Sequence, residues 1–193
     1  MTAKYVYLGP NKRNNDTDRH VVISEDVALW LMRMCVGEGG TNCSAEKAAA
    51  MMWGLVNRYL LHRGRYHWPT FKFLVRHFSQ PINPRWMAGG DLARKYAGTK
   101  HASPAKLARR KRISSLKLSE IPSHIRSIVF MFQIGNVVPP AVFDEAEEGK
   151  NRISNWASLP STPRKNPQGV DIDGDWFFED KGLCKGRVIV QKD

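Results

Sequence analysis

Glu38 lies in Val36-Gly37-Glu38-Gly39-Gly40, where one apolar helical stretch ends a few residues before another, Ala48 to Leu61, begins. A carboxylate at a helix C-terminus meets the negative end of the macrodipole. Apolar neighbours on the preceding helix desolvate it, and both effects push a carboxyl pKa upward. A carboxylic acid that keeps its proton near neutral pH is what glycoside cleavage requires of its general acid. The flanking glycines let a bulky sugar chain approach the backbone. The plain alternative is a loop carboxylate facing solvent.

The elements that must position Glu38 follow from local signals. Ser24 is an N-cap candidate, with Glu25 and Asp26 in the first turn. Val27, Trp30, Leu31, Met34 and Cys35 then recur at helical spacing, and Gly37, Gly39 and Gly40 end the helix. Ser44 opens a second helix, apolar almost all round before Asn57-Arg58, which marks it as central and buried. Trp68–Gln80 reads as a third, shorter helix, and the prolines of the following Pro-Ile-Asn-Pro-Arg-Trp exclude a helix there. Ser103-Pro104 starts a basic helix. Ser119 to Ile134 is another helical segment, with Ile125, Ile128, Val129 and Phe132 on one face. Residues 144–169 read mostly as loop. Two tail segments, Val170–Asp180 and Lys185–Asp193, have strand character, and the Gly-Leu-Cys-Lys-Gly between them is a candidate hairpin turn. Residues 1–20 read as a polar, loosely held arm apart from Tyr5–Leu8.

The fold class is therefore mainly α (α+β), a helical domain with a small C-terminal β-hairpin. The boundaries are an N-terminal arm over 1–22, a main domain over 23–180 with a basic insertion at about 85–118, and a terminal strand over 181–193. The 193 residues suit one domain, and 42% hydrophobic content with six tryptophans supplies a core. A net charge of +12 favours polyanionic partners: nucleic acid, an anionic membrane surface or an acidic wall polymer. Cys35, Cys43 and Cys184 form no even framework and no Cys-x-x-Cys pair, which suits synthesis in a reducing compartment. Cys35 reads as a buried thiol, with a Cys35–Cys43 disulfide as the lesser alternative. No apolar run reaches the ~18 residues of a membrane span. The N-terminus has no apolar signal core, so action outside the cytoplasm would need another route of export.

The order of several short islands resembles the SleB-like cell-wall hydrolases. Gly37-Glu38 and Asn57-Arg58 fall where that family has a Gly-Glu turn at a helix end followed by an apolar helix closing on Asn-Arg. Phe78-Ser79-Gln80 is similar to its short aromatic-hydroxyl segment. Trp156-Ala157, then Gly174, Trp176 and Phe177, resemble its closing stretch. The islands span residues 25–180. Two features depart from the pattern. The turn after Glu38 lacks the second acidic residue of the family's Gly-Glu-Ala-Arg-Gly-Glu form, and the basic insertion has no counterpart.

The resemblance implies a lysozyme-like fold and cleavage of the glycan strand of peptidoglycan, with Glu38 as the catalytic acid/base. A lytic transglycosylase closes a 1,6-anhydro ring and needs no second carboxylate. A hydrolytic muramidase needs a partner, for which Asp91, Asp144 and Glu145 are available, though no fixed spacing from Glu38 marks any of them. Ser79 and Gln80 are candidate donors to the substrate; alternatively Ser79 bonds its own backbone. Trp86 and Tyr96 are candidate stacking faces for sugar rings, or else core aromatics. Asn57-Arg58 reads as structural support. Lys106, Arg109, Arg110, Lys111 and Arg112 form a candidate polyanion-binding face, without the interleaved aromatics of single-strand binders; a solvated face is the alternative. The six histidines show no metal-ligand spacing, and Asp171–Asp175 lacks the rest of a calcium loop. No metal or cofactor is expected.

The combined expectation is a phage-type enzyme, made in the host cytoplasm and built into a virion that opens the wall during genome entry. Its partners would be peptidoglycan, other virion proteins, and DNA or anionic wall polymer. The alternatives are an endolysin for host lysis and a non-enzymatic virion or DNA-binding protein on the same scaffold.

Overall fold

The computed structural model describes residues 2–8, 20–61, 68–139, 153–155, 170–173, 175–179 and 187–192. Among these the chain is mainly helical with small antiparallel sheets. The central element is α2 (Ala45–Leu61), buried over Lys47–Leu61. Its first turn is capped by Ser44, whose Oγ accepts from Lys47 N at 3.1 Å. A helix with no solvated face must be covered on every side. The covering elements include α1 (Glu25–Gly39), α3 (Phe71–Phe78), α6 (Ser123–Gln133), the strand Ile153–Asn155 and strands at the two ends of the chain.

Those ends meet. β1 (Lys4–Leu8) is the middle strand between β2 (His20–Val22) and β6 (Arg187–Gln191), with Tyr5 opposite both Val21 and Val190. The apolar patch Tyr5–Leu8 within the expected arm is therefore a strand, and Ala3, Tyr5, Tyr7 and Val21 are core residues. The alternation of inward and outward side chains along Lys4–Leu8 is the period of a half-buried strand. The C-terminal hairpin is made by other strands than expected. β5 (Asp175–Glu179) pairs with β3 (Ile153–Asn155) and β4 (Val170–Ile172), not with β6. The tight turn lies earlier, at Asp173, whose φ of 52° is the left-handed conformation an Asp-Gly turn uses.

Caps set the helix starts. Ser24 accepts from Val27 N at 3.3 Å, Thr70 from Phe73 N at 3.0 Å, and Ser103 from Lys106 N at 3.5 Å. The proline-rich stretch after α3 forms two 3-10 turns, Gln80–Ile82 and Pro84–Trp86, which need fewer backbone donors than an α-helix. A short α4 (Asp91–Lys95) precedes the basic α5 (Pro104–Ser115). No helix among the described residues is long and apolar enough to cross a membrane.

Tyr5, Trp53 and Phe132 lock β1, α2 and α6 together. Tyr5 stacks on Phe132 at 4.7 Å between centroids and meets Trp53 edge-on at 5.4 Å. Its hydroxyl donates to the Phe132 carbonyl, and Trp53 Nε1 donates to the Val137 carbonyl at 3.0 Å. Burial pushes the Tyr5 phenol above its ordinary value of 10.0. A group whose folded pKa is raised gives up stability once the pH passes its unfolded pKa. Folding stability should therefore fall above about pH 10. Tyr5→Phe should cost about 1 kcal/mol at neutral pH and flatten that alkaline fall. Urea unfolding midpoints of both proteins, followed from neutral to alkaline pH, measure it; equal alkaline slopes would contradict the assignment.

Candidate active site

Glu38 occupies the last turn of α1, two residues before Gly40, whose φ of 72° ends the helix. Its side chain is half-buried. Ser79 Oγ donates to Glu38 Oε1 at 2.9 Å. Ser79 is fully buried at the point where α3 gives way to the first 3-10 turn. Ser79, a candidate donor to substrate by sequence, thus has its hydroxyl bonded to the carboxylate. The helix C-terminus disfavours charge on Glu38, while the Ser79 donor and any further partner of the carboxylate favour it.

The Ser79 position is fixed from three directions. Arg58, at the end of α2, lays its guanidinium over the Phe78 ring at 4.3 Å. Arg58 thus bears on Glu38 through Phe78 and Ser79. Asn83 closes the turn, donating to the His77 carbonyl and accepting from Arg85 N at 2.9 Å. Pro81 packs directly on Gly37, where an added Cβ would lie 2.6 Å from the Pro81 Cβ and 3.5 Å from Ile113. Gly37 is therefore needed for a close approach, not for an unusual φ.

The basic helix α5 braces the same turn. Arg109 Nη2 donates to the Gly37 carbonyl at 3.0 Å, satisfying one of the carbonyls a helix end leaves open. Arg110, expected on the polyanion-binding face, turns inward and is 5% exposed. It donates to the Trp86 carbonyl at 3.3 Å and the His101 carbonyl at 3.1 Å, and its guanidinium sits 5.0 Å from the Trp86 ring centre. Desolvation lowers its pKa below the ordinary arginine value. Lys106, Arg109, Lys111 and Arg112 are exposed. Trp86 and Tyr96, expected as sugar platforms, are half-buried and stack on each other at 5.3 Å. Each thus has a face taken by a protein group. Gln80 is exposed beside Ser79. Gln80, Pro81, Lys106, Arg109, Arg110 and Ile113 line an open cleft of about 100 Å³.

Of the candidate partner carboxylates, Asp91 is exposed and held by Arg85, Nη2 to Oδ2 at 2.7 Å. That hydrogen bond keeps its carboxyl below the usual range. Asp144 and Glu145 lie outside the described residues, as do Trp156, Ala157, Gly174 and Cys184. Cys35 and Cys43 are buried and form no disulfide with each other. The neighbouring Cys43 thiol and burial together push Cys35 upward. Among the described residues no group of His, Cys, Asp and Glu side chains is placed to hold a metal ion.

No family model matches the chain, and no curated protein or solved structure matches it.

In a free helix Gly→Ala gains up to about 1 kcal/mol. At Gly37 the sign should reverse, because Pro81 cannot retreat without moving Ser79. Gly37→Ala should lose about 1–3 kcal/mol, the range for overpacking, as read by thermal or urea unfolding. Stabilisation would refute the close packing of α1 on the 3-10 turn.

Proposed function

We propose that this protein cleaves the glycan strand of peptidoglycan, with Glu38 as its single general acid/base. The supporting observation is the Ser79–Glu38 hydrogen bond. A half-buried carboxylate at a helix end is oriented by a buried hydroxyl, and Gln80, the residue after that hydroxyl, lines an open cleft with α5. A surface carboxylate needs no such holder.

In the transglycosylase form of the reaction, Glu38 gives its proton to the glycosidic oxygen between a muramic residue and the next glucosamine. The bond from the muramic C1 to that oxygen breaks. The Glu38 carboxylate then takes the proton of the C6 hydroxyl, whose oxygen bonds C1 and closes the 1,6-anhydro ring. Glu38 ends protonated, ready for another turn, and no water enters the products. Ser79 is a positioning residue in this scheme, and Gln80 contacts substrate. The lysozyme-like scaffold and SleB-like kinship belong to this proposal, as does a phage setting. In that setting the protein is carried in the virion and opens the host wall during genome entry; release as an endolysin would use the same chemistry.

One observation favours a second reading. Lys106, Arg109, Lys111 and Arg112 expose four cations along α5, the footprint of a DNA or polyanion binder. Such a protein has no use for a held carboxylate, so the two readings separate at Glu38.

Purified peptidoglycan digested with wild type should release anhydro-muropeptides, identified by mass spectrometry. Glu38→Gln should lose about 10²–10⁴ in rate, the usual share of general acid catalysis. Ser79→Ala should lose about tenfold through kcat, with KM little changed. Reducing-end products would make the enzyme a muramidase. No cleavage of several wall types by folded wild type would refute the enzyme reading.

A further inference from the structure

The cleft beside the Glu38 turn has a composition that proton transfer does not require. Its base is Ile113, 3% exposed, and Arg110, whose guanidinium is already committed to two carbonyls and the Trp86 ring. Its rim is Gln80, Lys106 and Arg109, all exposed. Lys106 and Arg109 are three residues apart on α5 and so share a face, where like charges repel. Among the described residues no carboxylate forms an ion pair with either. Arg109 gives one donor to the Gly37 carbonyl, and a guanidinium carries five. The rim thus offers an amide, an ammonium and a fixed guanidinium around a space of about 100 Å³. That is room for a small anion with waters beside it.

The position of the cleft narrows the choice of anion. Arg109 anchors the residue before Glu38, and Gln80 follows the Ser79 that holds it. The cleft is thus lined by the chain neighbour of Ser79 and by the arginine that holds the chain neighbour of Glu38. In peptidoglycan the peptide arm leaves C3 of the same muramic ring whose C1 reacts, and that arm carries free carboxylates. We infer that Gln80, Lys106 and Arg109 form a subsite for a stem-peptide carboxylate, which makes the enzyme prefer peptide-charged strands over neutral ones. The inference rests on the glycan-cleaving reading, and its test separates the two.

Intact strands and strands whose peptide carboxyls are converted to methylamides are digested side by side by wild type and Lys106→Gln. Lys106 is exposed, so the variant should fold; Arg109 is avoided because it also braces Gly37. Wild type should cleave intact strands about tenfold better in kcat/KM, the scale of one charge-assisted contact. In Lys106→Gln the ratio should fall towards one. Equal cleavage of both strands by wild type would overturn the subsite while leaving glycan cleavage standing. A ratio unchanged in Lys106→Gln would also overturn it. Inhibition by millimolar inorganic phosphate without strand preference would reassign the cleft to a phosphate-bearing polymer. Cleavage of neither strand would remove both readings.

Discussion

Helix α2 has no face to give to water, and the arrangement of the rest follows from covering it. Lys47 to Leu61 is buried throughout, so α1, α3 and α6 must pack around it and the chain termini must close the remaining side. The closure is achieved by pairing β1 with β6 across nearly the whole sequence. The Tyr5-Trp53-Phe132 cluster then ties that sheet to α2 and α6. Once α1 and α3 both lie on α2, their ends are brought together. The last turn of one and the residue after the other place Glu38 and Ser79 within hydrogen-bonding distance, 41 positions apart in sequence.

The candidate site is thus a junction more than a loop. Gly37 meets Pro81 without room for a side chain, Arg58 supports Phe78, and Arg109 takes up the Gly37 carbonyl. Each contact restrains the same few residues from a different element. Such redundancy gives Glu38 the fixed position that the proposed acid/base role requires. The basic helix takes part in this. Of its five cations singled out by sequence, Arg110 is an internal brace, Arg109 is half brace and half surface, and Lys106, Lys111 and Arg112 remain on the outside.

Features set by local chemistry are legible in the sequence. Ser24, Ser44 and Ser103-Pro104 cap the helices whose starts they mark, because an N-cap acts within three residues. The all-round apolarity of α2 points to its central place. Features set by pairing at a distance are not legible. Nothing near Tyr5 announces Val190 as its neighbour, so local signals alone leave the Tyr5–Leu8 patch without a partner and make the last strand half of a hairpin. A run such as Lys-Leu-Ala-Arg-Arg-Lys-Arg looks uniformly solvated, and only the position of the Trp86 and His101 carbonyls draws Arg110 inward. Glu38 and Ser79 can each be singled out by type and order. Their bond cannot, since it depends on how two helices end against each other.

The measurement that bears most directly on the central claim is a crystal structure of Glu38→Gln with a peptidoglycan tetrasaccharide. A glycosidic oxygen should lie within hydrogen-bond reach of the side-chain amide introduced at position 38, with Ser79 still bonded to that residue. Glycan bound elsewhere with position 38 free of it, or no glycan bound at saturating concentration, would contradict it.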